Sequence, residues 1–383
     1  MKIGVDARVT DRYPGLGRYC INILKGLSEI DKDNEYIVFT ITPEKFTDFS
    51  PHENFKVAQV DYPVLSYKTF YAFSNFINKY NPDIFFAAFQ VAPLTLSSPT
   101  VLVLHDMMDL MYKDAFTHHN FVIRYGLKYF FKFVIPRSIK RASAIITVSE
   151  NTKRDLLSYF PTSEKKVTTI LEGVEGNFKP VIDKEILEKI KIKHGLPDRF
   201  ILYLGSIKPY KNLHGVLESF SRLIETGSYN DIKLVIGGLK HFSLDKIYAE
   251  MDRLKIKDKV LHVGFIAEED LPTVYSLADV FLFPSIWEGF GLPALEAMAC
   301  GVPVITSNTS SLPEVVGDAG IKVNPYDITE IAYNLKRLLT DTGLRNTLSQ
   351  KGIERAKTFT WEKAARRTLE VIEQTYKESR NVS

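Results

Sequence analysis

Short runs of β-branched and aromatic residues alternate along this chain with longer stretches of amphipathic character. The first runs predict strands at Lys2–Ala7, Tyr36–Ile41, Lys56–Val60, Asp83–Ala88, Val101–His105, Ala144–Val148 and Val167–Leu171. A second series predicts strands at Phe200–Gly205, Lys233–Gly237, Val260–Gly264, Val280–Pro284, Val302–Thr306 and Ile321–Val323. Between and after them, helical periodicity marks Gly17–Ile30, Asn212–Glu225, Glu268–Leu277, Pro293–Cys300 and Trp361–Lys377. Near-continuous apolar strands separated by helices imply parallel sheets covered on both faces.

The alternation weakens once. At Glu172–Asp183 the segment EGVEGNFKPVID is rich in glycine and proline and reads as a connection between domains. The expected fold class is therefore α/β, with two Rossmann-like doubly wound parallel-sheet domains, residues 1–175 and 176–360. Open parallel sheets bind ligands beyond the carboxyl ends of their strands. Two such domains facing across a cleft would put the active site there.

Composition narrows the function classes. The chain has 383 residues, 45% hydrophobic and 25% charged, which suits two buried cores. A net charge of +3 supplies no dense basic face, so no nucleic-acid partner is expected. Cys20 and Cys300 lack metal-ligand spacing and fit a reducing compartment. The opening MKIGVDARV enters a strand without a signal-like apolar region, and no run approaches the roughly 18 apolar residues of a membrane span. The expected location is cytoplasmic.

The densest chemistry follows the strand run VFLFP, in WEGFGLPALEAMACGVPV. Gly289 and Gly291 let backbone approach a ligand closely, and Pro293 suits the start of the next helix. The N–H groups and dipole of such a helix start attract an anion such as a diphosphate. Glu288 falls in the loop and Glu296 about one turn into the helix, so both can face one ligand, and a carboxylate accepts two hydroxyl hydrogen bonds. A helix-capping acid and a solvated helix residue are the plainer alternatives.

This segment closely resembles the glycosyltransferase family 4 pattern E-G-F-G-x-P-x-x-E-A-M-A-x-G-x-P-V. It matches at Glu288, Gly289, Phe290, Gly291, Pro293, Glu296, Ala297, Met298, Ala299, Gly301, Pro303 and Val304. The resemblance implies a retaining enzyme of GT-B architecture, most like bacterial mannosyltransferases of polysaccharide or O-antigen assembly. It implies that Glu288 and the backbone of Gly289, Phe290, Gly291 and Leu292 hold the donor sugar, and that Glu296 binds the nucleotide ribose.

Other stations agree with it. A lysine at a strand-to-helix transition can neutralise a diphosphate leaving group, and the segment GSIKPYKNL resembles the family's G-x-x-x-P-x-K-N-L, pointing to Lys211. Ser206 and Tyr210 stand where many relatives carry an arginine. Ser206 is kept as a donor-side residue, and Lys208 is a candidate for the second positive charge by its nearness in sequence.

Gly15 and Gly17, in GLGRY, open a helix after a loop and resemble the family's loop over the diphosphate and acceptor. Asp6, Arg18 and Asp106 are acceptor-side candidates. His105, at the end of VLVLH, is either a satisfied structural histidine or, by the resemblance, one placed against the donor sugar. Ser149 reads as a helix N-cap, and Glu314 as structural or donor-side. Glu172-Gly173 departs from the Asn-Gly common in relatives. The segment FTWEKAA resembles F-x-W-x-x-x-A and implies that a helix spanning 361–383 crosses back to the N-terminal domain.

Residues 121–143 hold six basic residues and no acid, with Arg124, Lys128 and Lys132 at i, i+4 spacing among aromatics. This stretch reads either as a surface for peripheral membrane contact, at the inner face of the plasma membrane, or as a core helix with a solvated basic face.

The reading that results is hexose transfer with retention, catalysed through Glu288, His105 and Lys211. The donor is a nucleoside-diphosphate sugar, GDP-mannose in the first instance, and the acceptor a glycan or lipid-linked sugar hydroxyl. No cofactor or metal is expected, since Asp31-Lys-Asp33 follows a helix and reads as a surface turn. The alternatives are a UDP-hexose donor, a nucleotide-sugar epimerase or phosphorylase on the same fold, and an inactive sugar-nucleotide-binding subunit.

Overall fold

A computed structural model describes residues 1–11, 13–49, 53–112, 121–206, 208–225, 227, 229, 231–238 and 244–381. The chain divides into two compact units, Met1–Gly173 with Thr360–Ser383, and Val174–Phe359.

The first unit is built on strands β1 (Lys2–Asp6), β2 (Glu35–Thr40), β3 (Phe55–Gln59), β4 (Ile84–Ala87), β5 (Thr100–Leu104), β6 (Ala144–Thr147) and β7 (Val167–Thr169). They form one parallel sheet in the order β3-β2-β1-β4-β5-β6-β7. Val5 lies opposite Val38 on one side and Phe86 on the other, and every residue of β5 is buried. Burial on both faces is why these strands read as unbroken apolar runs. The helix Trp361–Asn381 packs on the helix Pro14–Ile30, where Gly26 leaves the room: a Cβ there would lie 2.5 Å from that of Ala365.

The second unit has β8 (Phe200–Leu204), β9 (Lys233–Gly237), β10 (Val260–Gly264), β11 (Val280–Phe283), β12 (Val304–Ser307) and β13 (Ile321–Val323). This sheet is also parallel, in the order β10-β9-β8-β11-β12-β13. Its core joins Leu217 and Phe220 of one covering helix, Leu335 and Leu338 of another, and Ile201, Tyr203 and Leu282 of the strands.

Each run read from the alternation is a strand here, with its ends moved by at most two residues. Proline explains one shift: Pro303 has no N–H to give the ladder, so β12 starts at Val304. One helix begins earlier than its periodicity indicated, at Pro14, so Gly15 and Gly17 lie in its first turns. The chain adds strands outward from β8 to β10, then returns to place β11 on the other side of β8. Such a reversal point, between β8 and β11, is where doubly wound sheets open a crevice.

Candidate donor site

Two loops meet at that reversal. The loop after β8 ends in a tight turn, Pro209–Lys211, and the loop after β11 carries Trp287 and Glu288. Lys211 Nζ donates to both Glu288 oxygens, at 2.7 and 2.8 Å. The two side chains are only 15% and 10% exposed, so the pair is largely shielded from solvent. The ammonium also lies 5.3 Å from the Phe283 ring centroid and 5.5 Å from that of Tyr210, within cation–π reach. Burial, and then the Glu288 charge, push the Tyr203 phenol well up.

The surrounding backbone is tightly fixed. Asn212 takes a left-handed conformation and donates from Nδ2 to the carbonyls of Pro284 and Pro325, at 3.1 and 2.7 Å. Its Oδ1 accepts from Gly215 N and so caps the helix Leu213–Ile224. Ile286 N and Ser285 Oγ both donate to Tyr210 O, at 2.7 and 3.0 Å, tying the two loops together. Ser310 Oγ accepts from Glu288 N at 3.1 Å and donates to Glu288 O at 2.6 Å, while Ser311 Oγ donates to Phe290 O at 2.6 Å.

Gly291 stands at the N-cap of the helix Leu292–Ala299 with φ +119°. A Cβ there would lie 2.7 Å from Leu312 Cδ2, so both conformation and space demand glycine. Glu296 is buried one turn into this helix and accepts from Tyr275 OH at 3.0 Å.

In the first unit most of the candidate residues are buried or half-buried. Asp6 forms a bidentate pair with Arg8, at 2.8 and 2.7 Å, and both are buried, with the guanidinium 3.7 Å from the Phe73 ring centroid. His105 is buried as well. Its Nε2 donates to Ala88 O at 3.0 Å, its Nδ1 lies 3.6 Å from Glu172 Oε1, and the Tyr19 ring meets it edge-on at 4.7 Å. Asp106 Oδ1 accepts from Met108 N at 2.9 Å. Gly17 packs on Thr10, whose Cα would be 3.1 Å from a Cβ, whereas Gly15 is exposed. Arg18 is half-buried, and Ser149 caps the helix Glu150–Tyr159 through its bond from Thr152 N.

Residues 13–177 match the family described as Glycosyltransferase Family 4, and residues 185–355 match Glycosyl transferases group 1. The chain belongs to glycosyltransferase family 4. It is 32% identical over 235 residues to the O-antigen chain mannosyltransferase B of Escherichia coli, an alignment covering 61% of each protein. It is 30% identical over 276 residues to the serotype-specific mannosyltransferase WbdA of Escherichia coli, covering 71% of this chain and 33% of that protein. The chain thus aligns with less than two thirds of the length of either relative. Its fold is that of Anabaena HepE, solved in complex with UDP and glucose, with a TM-score of 0.75, 19% identity, and coverage of 98% of this chain and 100% of that one.

Within this family 4 chain the structure joins Lys211 to Glu288 and gives Glu296 a separate partner, Tyr275. Ser206 lies in the loop after β8, partly exposed. Sequence reading missed Tyr275, which bonds Glu296, and Ser285, Ser310 and Ser311, which fix the loops after β8 and β11. Only the SSLPE run carried a signal, as serines before a proline-led helix. Glu314 lies in that short helix, Leu312–Val316, and its carbonyl accepts from Arg355 at 2.6 Å.

Among the described residues, the ligand atoms of His214, Glu218 and Glu250 lie within 4.8 Å of one another, as a cation site would need. The Arg253 guanidinium bonds both glutamates, which makes this a surface ion-pair cluster. The turn at Asp31 is structural: its carboxylate accepts from Asn34 Nδ2 at 2.8 Å, Tyr36 OH at 2.5 Å and the backbone of Asp33 and Asn34.

Residues 121–141 form one helix that buries Phe131, Val134, Ile135 and Ile139. The helix also exposes Ile123, Tyr125, Lys128, Tyr129, Lys132 and Phe133, and Phe130 stacks on Phe70. No helix among the described residues is long and apolar enough to cross a membrane.

Proposed function

We propose that this chain transfers a hexose from a nucleoside-diphosphate sugar to a sugar hydroxyl of a glycan or lipid-linked acceptor, with retention at the anomeric carbon. The observation that carries the reading is the shielded Lys211–Glu288 pair at the reversal point of the second sheet. A cation there offsets charge as the diphosphate departs, and a carboxylate there accepts from sugar hydroxyls. The start of the helix Leu292–Ala299 adds a positive dipole end to the same loop. Glu296, with Tyr275 as its lever, takes the ribose. Asp6 acts through Arg8 to hold the turn after β1 rather than touching the acceptor, and His105 keeps the donor-sugar role that the family resemblance implies. Arg18 and Asp106 remain with the acceptor, and Gly15 and Gly17 with the donor diphosphate. The scheme needs no metal, because Lys211 and loop N–H groups carry the charge.

Mannose from GDP-mannose is the first choice of donor, supported by two mannosyltransferase relatives. A UDP-hexose is the second, favoured by the shared fold with HepE, whose structure holds UDP and glucose. The test offers GDP-mannose and UDP-glucose at equal concentration with a mannose-terminated acceptor. Product mass identifies the sugar, and one-bond C–H coupling at the new anomeric carbon reads the configuration. A mannosylated acceptor of retained configuration, with GDP released, is expected. Exclusive use of UDP-glucose would transfer the assignment to the second reading, and an inverted product would remove retention.

The exposed aromatic and basic side of the helix 121–141 suits anionic lipid, with rings at headgroup level and Lys128 and Lys132 facing the phosphates. Such contact would bring a cytoplasmic enzyme to a lipid-carried acceptor.

A further inference from the structure

A cavity of about 680 Å³ opens in the first unit, at the amino ends of its strands. Asp83 precedes β4, Thr100 begins β5 and Ser143 precedes β6, and all three line it. Arg141 reaches it from the end of the helix 121–141, and Tyr376 and Arg380 from the helix Trp361–Asn381. The candidate residues Asp6 and His105 sit at the opposite, carboxyl ends of the same sheet. The length of β5, at roughly 3.3 Å per residue, puts about 15 Å between the two sides. The cavity is therefore no part of the crevice that a parallel sheet opens beyond its carboxyl ends. Its volume falls in the range of small-molecule sites and is far more than an inorganic anion fills.

Two arginines give the cavity its charge. Arg141 Nη2 donates to Leu96 O. Arg380 Nη1 donates to Tyr376 OH at 3.3 Å, and its guanidinium lies 5.7 Å from the Tyr376 ring centroid. Each fork is anchored through one N–H and keeps the others. Neither arginine pairs with a carboxylate among the described residues. Asp83, on the same cavity, accepts instead from Lys2 N at 2.6 Å through Oδ2, and Glu378, near Arg380 in sequence, accepts from Gln374 Nε2 at 2.8 Å. Two guanidinium forks without an internal counter-charge match the oxygens of a phosphate, which take bidentate bonds. Asp83 narrows the class further. Its carboxylate repels a bare phosphate but accepts from the hydroxyls of a sugar that carries one.

We propose that this cavity binds a sugar bearing a phosphate monoester, with Arg141 and Arg380 on the phosphoryl oxygens and Asp83 on the sugar hydroxyls. The site is separate from the donor site and stands whether or not that reading does. The test titrates mannose-6-phosphate, its methyl glycoside, mannose and inorganic phosphate into the full-length protein by calorimetry. The proteins are the wild type, Arg141→Met, Arg380→Met, Asp83→Asn and the donor-site double variant Lys211→Met, Glu288→Gln. Thermal midpoints of each variant report folding separately.

The phosphorylated sugar should bind the wild type and the donor-site double variant alike, and mannose alone should not register. Each arginine variant should weaken it about tenfold, the scale of one hydrogen bond to a charged group. Asp83→Asn should weaken the phosphorylated sugar yet leave inorganic phosphate equal or tighter, because the carboxylate opposes a bare anion. Stronger binding of mannose-6-phosphate marks a free sugar phosphate as the ligand, and stronger binding of the methyl glycoside marks a phosphorylated glycan residue; either carries the proposal. Inorganic phosphate binding as tightly as both sugars overturns the sugar assignment. Equal binding by the wild type and both arginine variants, loss confined to the donor-site variant, or no binding of either phosphorylated sugar overturns the site itself.

Discussion

Replacing Lys211 with methionine keeps the length of the side chain and removes its charge. Glu288 is then left beside Phe283 and Tyr210 with its carboxylate only 10% exposed and its ammonium gone. Removing one partner of a buried ion pair costs about 3–5 kcal/mol, mostly because the other charge is stranded. The residual exposure on both sides lets some water reach the survivor, so a smaller loss, about 2–3 kcal/mol, is expected. Glu288→Gln strands the ammonium in the same way. The double variant strands nothing, so its loss should fall short of the sum of the singles by at least about 1.5 kcal/mol.

The chain has two tryptophans, one in each unit, so a Trp361→Phe background leaves Trp287, adjacent to Glu288, as the fluorescent reporter. Urea unfolding of the four proteins in that background gives the coupling energy directly. Single losses that add to within about 0.5 kcal/mol would refute the reasoning, because they would mean the two charges are solvated independently.

Three further outcomes follow. Cys20 and Cys300 are buried, and burial first, then the charges of Asp6 and Glu296, push both thiols up. Native protein at pH 8 should therefore resist a thiol-reactive dye, and unfolding should release both, whereas rapid native labelling would contradict that burial. Burial raises Asp31 and Asp270, but hydrogen bonds to Asp31 from Tyr36 and Asn34, and those to Asp270 from Lys193 and His194, outweigh it and hold both below the usual range. A carboxylate depressed on folding stabilises above its unfolded value, about 3.9, and that stability drains away as pH falls through the folded value. Urea midpoints should thus drop below about pH 4, with Asp270→Asn flattening that drop; an unchanged pH profile in the variant would argue against the assignment. Finally, vesicles containing anionic lipid should sediment the protein and neutral vesicles should not. Glutamate at Lys128 and Lys132 should abolish the difference, and equal sedimentation with both vesicle types would count against lipid contact.

How much of this was legible before the structure depends on distance along the chain. The strands were, because full burial leaves an unbroken apolar run whose register needs no partner to be seen. The glycine loop and Glu288 were, because backbone approach and helix start are written in consecutive residues. The Lys211–Glu288 bond was not: the two lie 77 residues apart and meet only because β11 is placed next to β8. The same holds for Tyr275 on Glu296 and for Glu172 beside His105, 67 positions before it returns. Asp6 is a different case. Its partner Arg8 is two residues away, yet a strand-end carboxylate looks the same whether it waits for a ligand or for a buried guanidinium. The start of the helix at Pro14 was legible in principle, since proline at a first helical position is common, but the two glycines that follow pull the reading toward a loop.

The central claim is that a nucleoside diphosphate is held at Lys211, where the loops after β8 and β11 meet. Calorimetric titration of GDP and UDP into the wild type and into the Lys211→Met, Glu288→Gln double variant tests it most directly, because the double variant keeps the site uncharged and folded. One of the two diphosphates should bind the wild type, and the double variant should lose at least about tenfold in affinity for it, one charge-assisted contact or more. Binding of equal strength in the double variant, or none to the wild type, would contradict the account.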